Sequence, residues 1–154
     1  RVVREISKRE LSDADTHGGH TFRSLGYPGV RGEAESGFAS LDAGSMSMLR
    51  NARGRFDDAV CVNALLSLMA VVDDSTVLHR GGTEALDYVK ESAADALAIG
   101  GTETAIGRAA IARMADEFVQ RRISPGGSAD LLSAGLFLSS FEHFLGLGES
   151  INIV

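Results

Sequence analysis

Residues 123–145, ISPGGSADLLSAGLFLSSFEHFL, decide how the chain is read. Pro125 and the pair Gly126-Gly127 interrupt any helix that precedes them, since proline lacks an N–H and glycine gives up much backbone freedom on entering a helix. Ser128 is well placed to start a new helix. From there to Leu145, apolar side chains fall on most faces: Leu131, Leu132, Leu136, Phe137, Leu138, Phe141, Phe144 and Leu145. A helix this apolar around its circumference is expected at the buried centre of a bundle.

The segments upstream follow the same period. Asp57 to Val72 is again apolar nearly all round, with Leu65, Leu66, Leu68, Met69 and Val72. Leu86, Val89, Ala93 and Leu97 step by three and four, with Glu84, Asp87, Lys90, Glu91 and Asp95 on the other side. Gly100-Gly101 stops that helix and Thr102 is expected to cap the next, in which Ile106, Ala110, Met114 and Phe118 step by four. No stretch keeps up the two-residue alternation of a half-buried strand. The expectation is all-α: a bundle of about five to six helices, with residues 42–146 as its core and 1–154 as a single helical unit.

Residues 13–41 differ, with glycines at 18, 19, 26, 29, 32 and 37 and little periodicity. They are expected to form a long functional loop near the N-terminus, because a loop of this length is unusual inside a compact domain. His17 and His20 stand three apart, but with only His79 and His143 elsewhere and one cysteine they fall short of a structural zinc set. The run Gly29 to Phe38 brings Arg31, Glu33 and Glu35 between glycines. Acid–base work and a solvated salt-bridged loop are both compatible with that pattern.

The balance of 15 Lys and Arg against 21 Asp and Glu gives a net charge of −6, which argues against a nucleic-acid binder. A 44% hydrophobic and 23% charged composition is that of an ordinary globular protein. The single Cys61 excludes an internal disulfide and reads as core filler in a reducing compartment, so the expected location is cytoplasmic. No apolar run reaches the roughly 18 residues of a spanning helix.

Two segments share one construction. His79-Arg80-Gly81-Gly82-Thr83 precedes the helix that opens at Glu84, and Arg121-Arg122-Ile123-Ser124-Pro125-Gly126-Gly127-Ser128 precedes the last helix. Each sets cationic side chains, two glycines and a hydroxyl at an expected helix N-terminus, where free N–H groups and the helix dipole favour anions. A plain glycine-broken turn with a Ser/Thr cap has the same sequence. Between them lies Asp73-Asp74, adjacent carboxylates of the kind that hold Mg²⁺ beside substrate phosphates, or that are merely solvated. Asp130 sits in the first turn of the last helix, where an acid also suits the dipole.

Together these segments resemble the triphosphoribosyl-dephospho-CoA synthases, which make the prosthetic-group precursor for citrate lyase and malonate decarboxylase. The resemblance is carried in order by Thr16-His17-Gly18, by Gly29 to Phe38, by Leu68-Met69-Ala70, by Asp74 to Gly82 and most specifically by Ile123 to Leu132. The family usually has an acid where Gly19 stands, and Thr-Asn where this chain has Ser75-Thr76. Its members carry a further N-terminal half, so the chain resembles their C-terminal half. The implied reaction joins C1′ of the ATP ribose to the 2′-hydroxyl of 3′-dephospho-CoA and releases adenine.

That resemblance implies roles for particular residues. Arg80, Gly81, Gly82, Ser124, Gly126, Gly127 and Ser128 would hold phosphates, with Arg31 pairing to substrate phosphate. Asp73 or Asp74 would organise Mg²⁺. Glu33 or Asp130 would take the hydroxyl proton or face the cationic sugar, and His17 would protonate the departing adenine. The expected partners are ATP, 3′-dephospho-CoA and the missing N-terminal half or a second subunit, such as another copy of the chain, with neither nucleic acid nor membrane. Two other functions fit the same residues: an incomplete helical nucleotide-binding subunit, and a Mg²⁺-dependent phosphohydrolase.

Overall fold

The computed structural model describes residues 29–147, and these are all-α. Three short helices, α1 (Gly29–Ser36), α2 (Ala39–Gly44) and α3 (Met46–Asn51), lead into four longer ones. The longer helices are α4 (Asp58–Val71), α5 (Ser75–Ala98), α6 (Ala105–Arg121) and α7 (Gly126–Phe144), with a 3-10 turn at Gly101–Glu103 before α6. Among the described residues no single helix is long and apolar enough to cross a membrane.

Helix α4 is the centre of the bundle. One side, with Leu66 and Met69, joins Val77, Leu78, Leu86, Val89, Ala93, Ala96 and Phe118 of α5 and α6. The other side, with Ala64 and Leu68, joins Leu41, Met46, Leu49, Val72 and Leu131 from α2, α3, the end of α4 and α7. Serving two cores at once is why its sequence is apolar on every face.

Helix α7, expected to be equally central, is instead at the edge. Its inward face is made of Gly127, Ser128, Leu131, Gly135 and Ser139, while Phe137, Phe141 and Phe144 stand in solvent. Size decides this. A Cβ at Gly135 would come within 2.9 Å of Leu49 Cδ1 and 3.1 Å of Leu41 Cδ2, so only a small residue lets α7 approach.

One helix cap differs from the sequence expectation. Asp57 caps α4 by accepting from Val60 N at 2.9 Å. Thr104, rather than Thr102, caps α6, accepting from Gly107 N at 2.9 Å, while Thr102 N donates to Asn63 Oδ1. Part of the expected loop is helical: α1 and α2 occupy residues 29–36 and 39–44, turned by Gly37 and Phe38 at φ 75° and 62°. Residues 13–28, with His17, lie outside the described residues.

Candidate functional site: an arginine-lined cleft

Asp74 is 1% exposed and caps two helices at once. Its Oδ1 accepts from Thr76 N at 2.9 Å and Val77 N at 3.3 Å, closing the first turn of α5. Its Oδ2 accepts from Ser128 N at 2.8 Å and Ser128 Oγ at 3.0 Å, closing the first turn of α7, whose own cap position is Pro125 and supplies no side-chain acceptor. The four donors and two helix dipoles satisfy a carboxylate that would otherwise be costly to bury. The glycines permit the approach: a Cβ on Gly127 would lie 3.2 Å from the Asp74 carboxylate, and one on Gly126 would lie 3.1 Å from Thr76 Oγ1.

This arrangement sets five of the expected site residues against protein neighbours. Asp74 does not fit a Mg²⁺ ligand, because protein donors occupy both of its oxygens. Its neighbour Asp73 is paired with Lys90 Nζ at 2.5 Å, and no group of three or more His, Cys, Asp or Glu able to hold a metal occurs among the described residues. The N–H and hydroxyl of Ser128 face Asp74 rather than a phosphate. Gly126 and Gly127 give helices α5 and α7 room to abut.

Helix α5 starts at Ser75, ahead of the His79–Thr83 segment rather than behind it. The expected break is nonetheless there. Gly82 has φ 70° and ψ −168°, a conformation almost confined to glycine, and it kinks the helix. Arg80 and Gly81 before the kink and Glu84 and Ala85 after it line one cleft of about 190 Å³, completed by Val77, Arg121, Arg122 and Ile123. The two cationic segments, some 40 residues apart in sequence, therefore meet across this cleft.

Each arginine is placed differently. Arg121 lies over the Tyr88 ring, 4.0 Å from its centroid. Tyr88 in turn donates its hydroxyl to Glu117 and packs edge-on to Phe118 at 6.0 Å. Burial, followed by the bond to the Glu117 carboxylate, pushes the Tyr88 phenol above its ordinary pKa. Arg122 ends α6 in the left-handed conformation at φ 56°, a place usually given to glycine. Arg80 is exposed, and neither it nor Arg122 has an ion-pair partner among the described residues. An arginine fork is suited to phosphate oxygens, and three arginines line this cleft together with Glu84.

Of the expected site residues, Arg80 and Gly81 line this cleft and Gly82 shapes it. Ser124 is exposed one residue beyond Ile123, and its carbonyl accepts from Gly126 N at 2.9 Å. Glu33 is engaged elsewhere, its carboxylate accepting from Ser40 N at 3.1 Å and Ser40 Oγ at 2.6 Å, which closes the first turn of α2. Asp130 is exposed on α7 and does not line the cleft. The Arg31 side chain lies outside the described part of α1. Sequence reading had Arg121 and Arg122 inside the second cationic segment but did not single them out. It took Glu84 only as a solvent-facing acid. The adjacent arginines just before Pro125 were the available signal.

The site thus belongs to an all-α protein with a small cleft lined by three arginines. The sequence matches the ATP:dephospho-CoA triphosphoribosyl transferase family over residues 1–148, and the chain belongs to that family. Relatives include a probable 2-(5''-triphosphoribosyl)-3'-dephosphocoenzyme-A synthase of Pseudomonas syringae pv. syringae, 34% identical, the match covering 94% of this chain and 50% of the relative. A second bearing that name, from Salmonella typhi, is 39% identical over 91% of this chain and 47% of the relative. The chain spans about half the length of the curated relatives it matches. No solved structure matches it.

Proposed function

We propose that this chain carries the phosphate-binding part of a triphosphoribosyl transfer from ATP to 3′-dephospho-CoA. The 2′-hydroxyl oxygen of dephospho-CoA forms a bond to C1′ of the ATP ribose, the C1′–N9 bond to adenine breaks, and the hydroxyl proton ends on the departing adenine. The product is 2′-(5″-triphosphoribosyl)-3′-dephospho-CoA. Both substrates are polyphosphates, and the observation that carries the reading is the meeting of Arg80, Arg121 and Arg122 on one cleft.

In this reading the arginines hold a phosphate chain and thereby fix the ribose, while the transition state gathers positive charge on the sugar. Asp74 is a positioning residue: by fixing Ser128 it fixes the turn that follows Arg121–Ile123. Of the two candidate carboxylates Glu33 and Asp130, Ser40 holds Glu33, so Asp130 keeps the role toward the hydroxyl proton; Arg31 and His17 keep their proposed roles at phosphate and adenine. ATP use fits a cytoplasmic location. A metal-dependent phosphohydrolase is the less favoured reading, since Lys90 pairs with Asp73 and two helix starts hold Asp74.

Incubation of the chain with ATP, Mg²⁺ and dephospho-CoA, followed by chromatography with mass detection, tests the proposal. Adenine together with triphosphoribosylated dephospho-CoA is the expected product pair when the further half present in the relatives is also supplied. Inorganic phosphate without adenine would restore the hydrolase.

A further inference from the structure

The exposed side of α7 is a continuous aromatic stripe. Phe137 is 67%, Phe141 50% and Phe144 83% exposed, followed by Leu145 at 49% and Leu147 at 71%. Phe137 and Phe141 stack on each other, centroids 6.1 Å apart and planes within 8°. Taking about 200 Å² for a whole phenylalanine, the three rings leave roughly 400 Å² of aromatic surface in water. A patch of that size matches the largest patch of an ordinary monomer, which is often functional. The stripe lies opposite the small-residue face, Ser128, Leu131, Gly135 and Ser139, that packs on the bundle.

We propose that this stripe is the docking face for the further half that the relatives carry. The match accounts for 94% of this chain but only 50% of the Pseudomonas syringae relative, so a portion of equal length there needs a surface to pack on. Within one polypeptide that portion is present at millimolar effective concentration, well above what a second copy of the chain reaches. The stripe is also continuous with a proposed site residue. Asp130, Phe137, Phe141 and Phe144 recur at the helical spacing of one face, and all are exposed. Docking there sets Asp130 at the rim of the interface.

The test compares the chain alone with a chimera in which it replaces the matched half of the Pseudomonas syringae relative. Association, not activity, is read, so the outcome is independent of the proposed transfer. Amide exchange over residues 137–144 should slow by roughly tenfold or more in the chimera. Phe137→Asp with Phe141→Asp should lower the chimera's Tm while leaving that of the chain alone unchanged. Equal exchange in both proteins, or separate unfolding of the two halves, overturns the proposal. So does a concentration-dependent dimer of the chain alone that the double substitution dissolves, which would assign the stripe to a second copy.

Discussion

Asp74 Oδ2 receives both the N–H and the hydroxyl of Ser128, 54 residues away, while its Oδ1 closes the helix that begins at Ser75. One carboxylate thus ties the starts of α5 and α7 together. It also explains why the glycine pair at 126–127 precedes a serine: two residues without a Cβ bring that serine close enough to be held.

Replacing Asp74 with alanine strips acceptors from two buried helix starts. The expected loss is about 3–4 kcal/mol, more than the roughly 1 kcal/mol of an ordinary cap. Urea denaturation measures it. Ser128→Ala should cost less, because the backbone N–H of residue 128 still reaches Asp74. Similar losses for the two variants would mean that Asp74 acts chiefly on its own helix.

Gly135→Ala places a methyl group 2.9 Å from Leu49 Cδ1, and a well-packed core yields only by shifting side chains. A destabilisation of about 1–3 kcal/mol is expected, whereas alanine normally stabilises a helix over glycine. The sign of the change in Tm is therefore the readout. A higher Tm would show that α7 stands further from α3 than described.

Arg122 separates stability from binding. Its left-handed backbone disfavours any side chain, so Arg122→Gly should stabilise the chain by about 1 kcal/mol. The same change removes a guanidinium from the cleft and should weaken ATP binding about tenfold, near 1.4 kcal/mol. Arg80→Ala should weaken binding alike without changing the melting curve, as its side chain is exposed. Calorimetric titration with ATP, run beside thermal melts, checks both. Unaltered ATP affinity in both variants would move the phosphate site away from this cleft.

Glu142 receives Arg50 Nε at 2.7 Å and Nη2 at 2.9 Å, joining α3 to the far end of α7. The hydrogen bond to Arg50, assisted by its charge, holds the Glu142 carboxyl below its ordinary value of 4.5. A lowered folded-state pKa contributes stability that is present above the unfolded value and is lost as pH falls through the folded one. Glu142→Gln should therefore reduce stability at neutral pH and flatten its decline below about pH 4.5. Denaturation midpoints across pH 3–7 test this; parallel profiles for the two proteins would show the pair to be without effect.

The part of the cleft that was legible in the sequence rests on local chemistry. Arg80 beside two glycines, and two more arginines before Pro125, advertise anion binding one residue at a time. Gly82 was readable as a break because its residue type allows a backbone that other residues avoid. The residues that sequence left open were those with two possible uses. Asp74 and Ser128 are as apt for metal and phosphate as for capping one another, and sequence spacing does not say which donor reaches which acceptor first. Glu33 was similarly open until Ser40 was found against it.

By itself, the sequence determined the helical period, the interruptions at Gly82, Gly100-Gly101 and Pro125, and the chemical character of both cationic segments. These follow from side-chain spacing and backbone preference, which act over a few residues. Tertiary structure alone decided that the two segments share a cleft, that Asp74 serves two helices, and that α4 rather than α7 is central. Such outcomes depend on which surfaces can approach closely. The glycine and serine face of α7 packs tightly and leaves its phenylalanines outside, a choice of size over hydrophobicity that no helical period records.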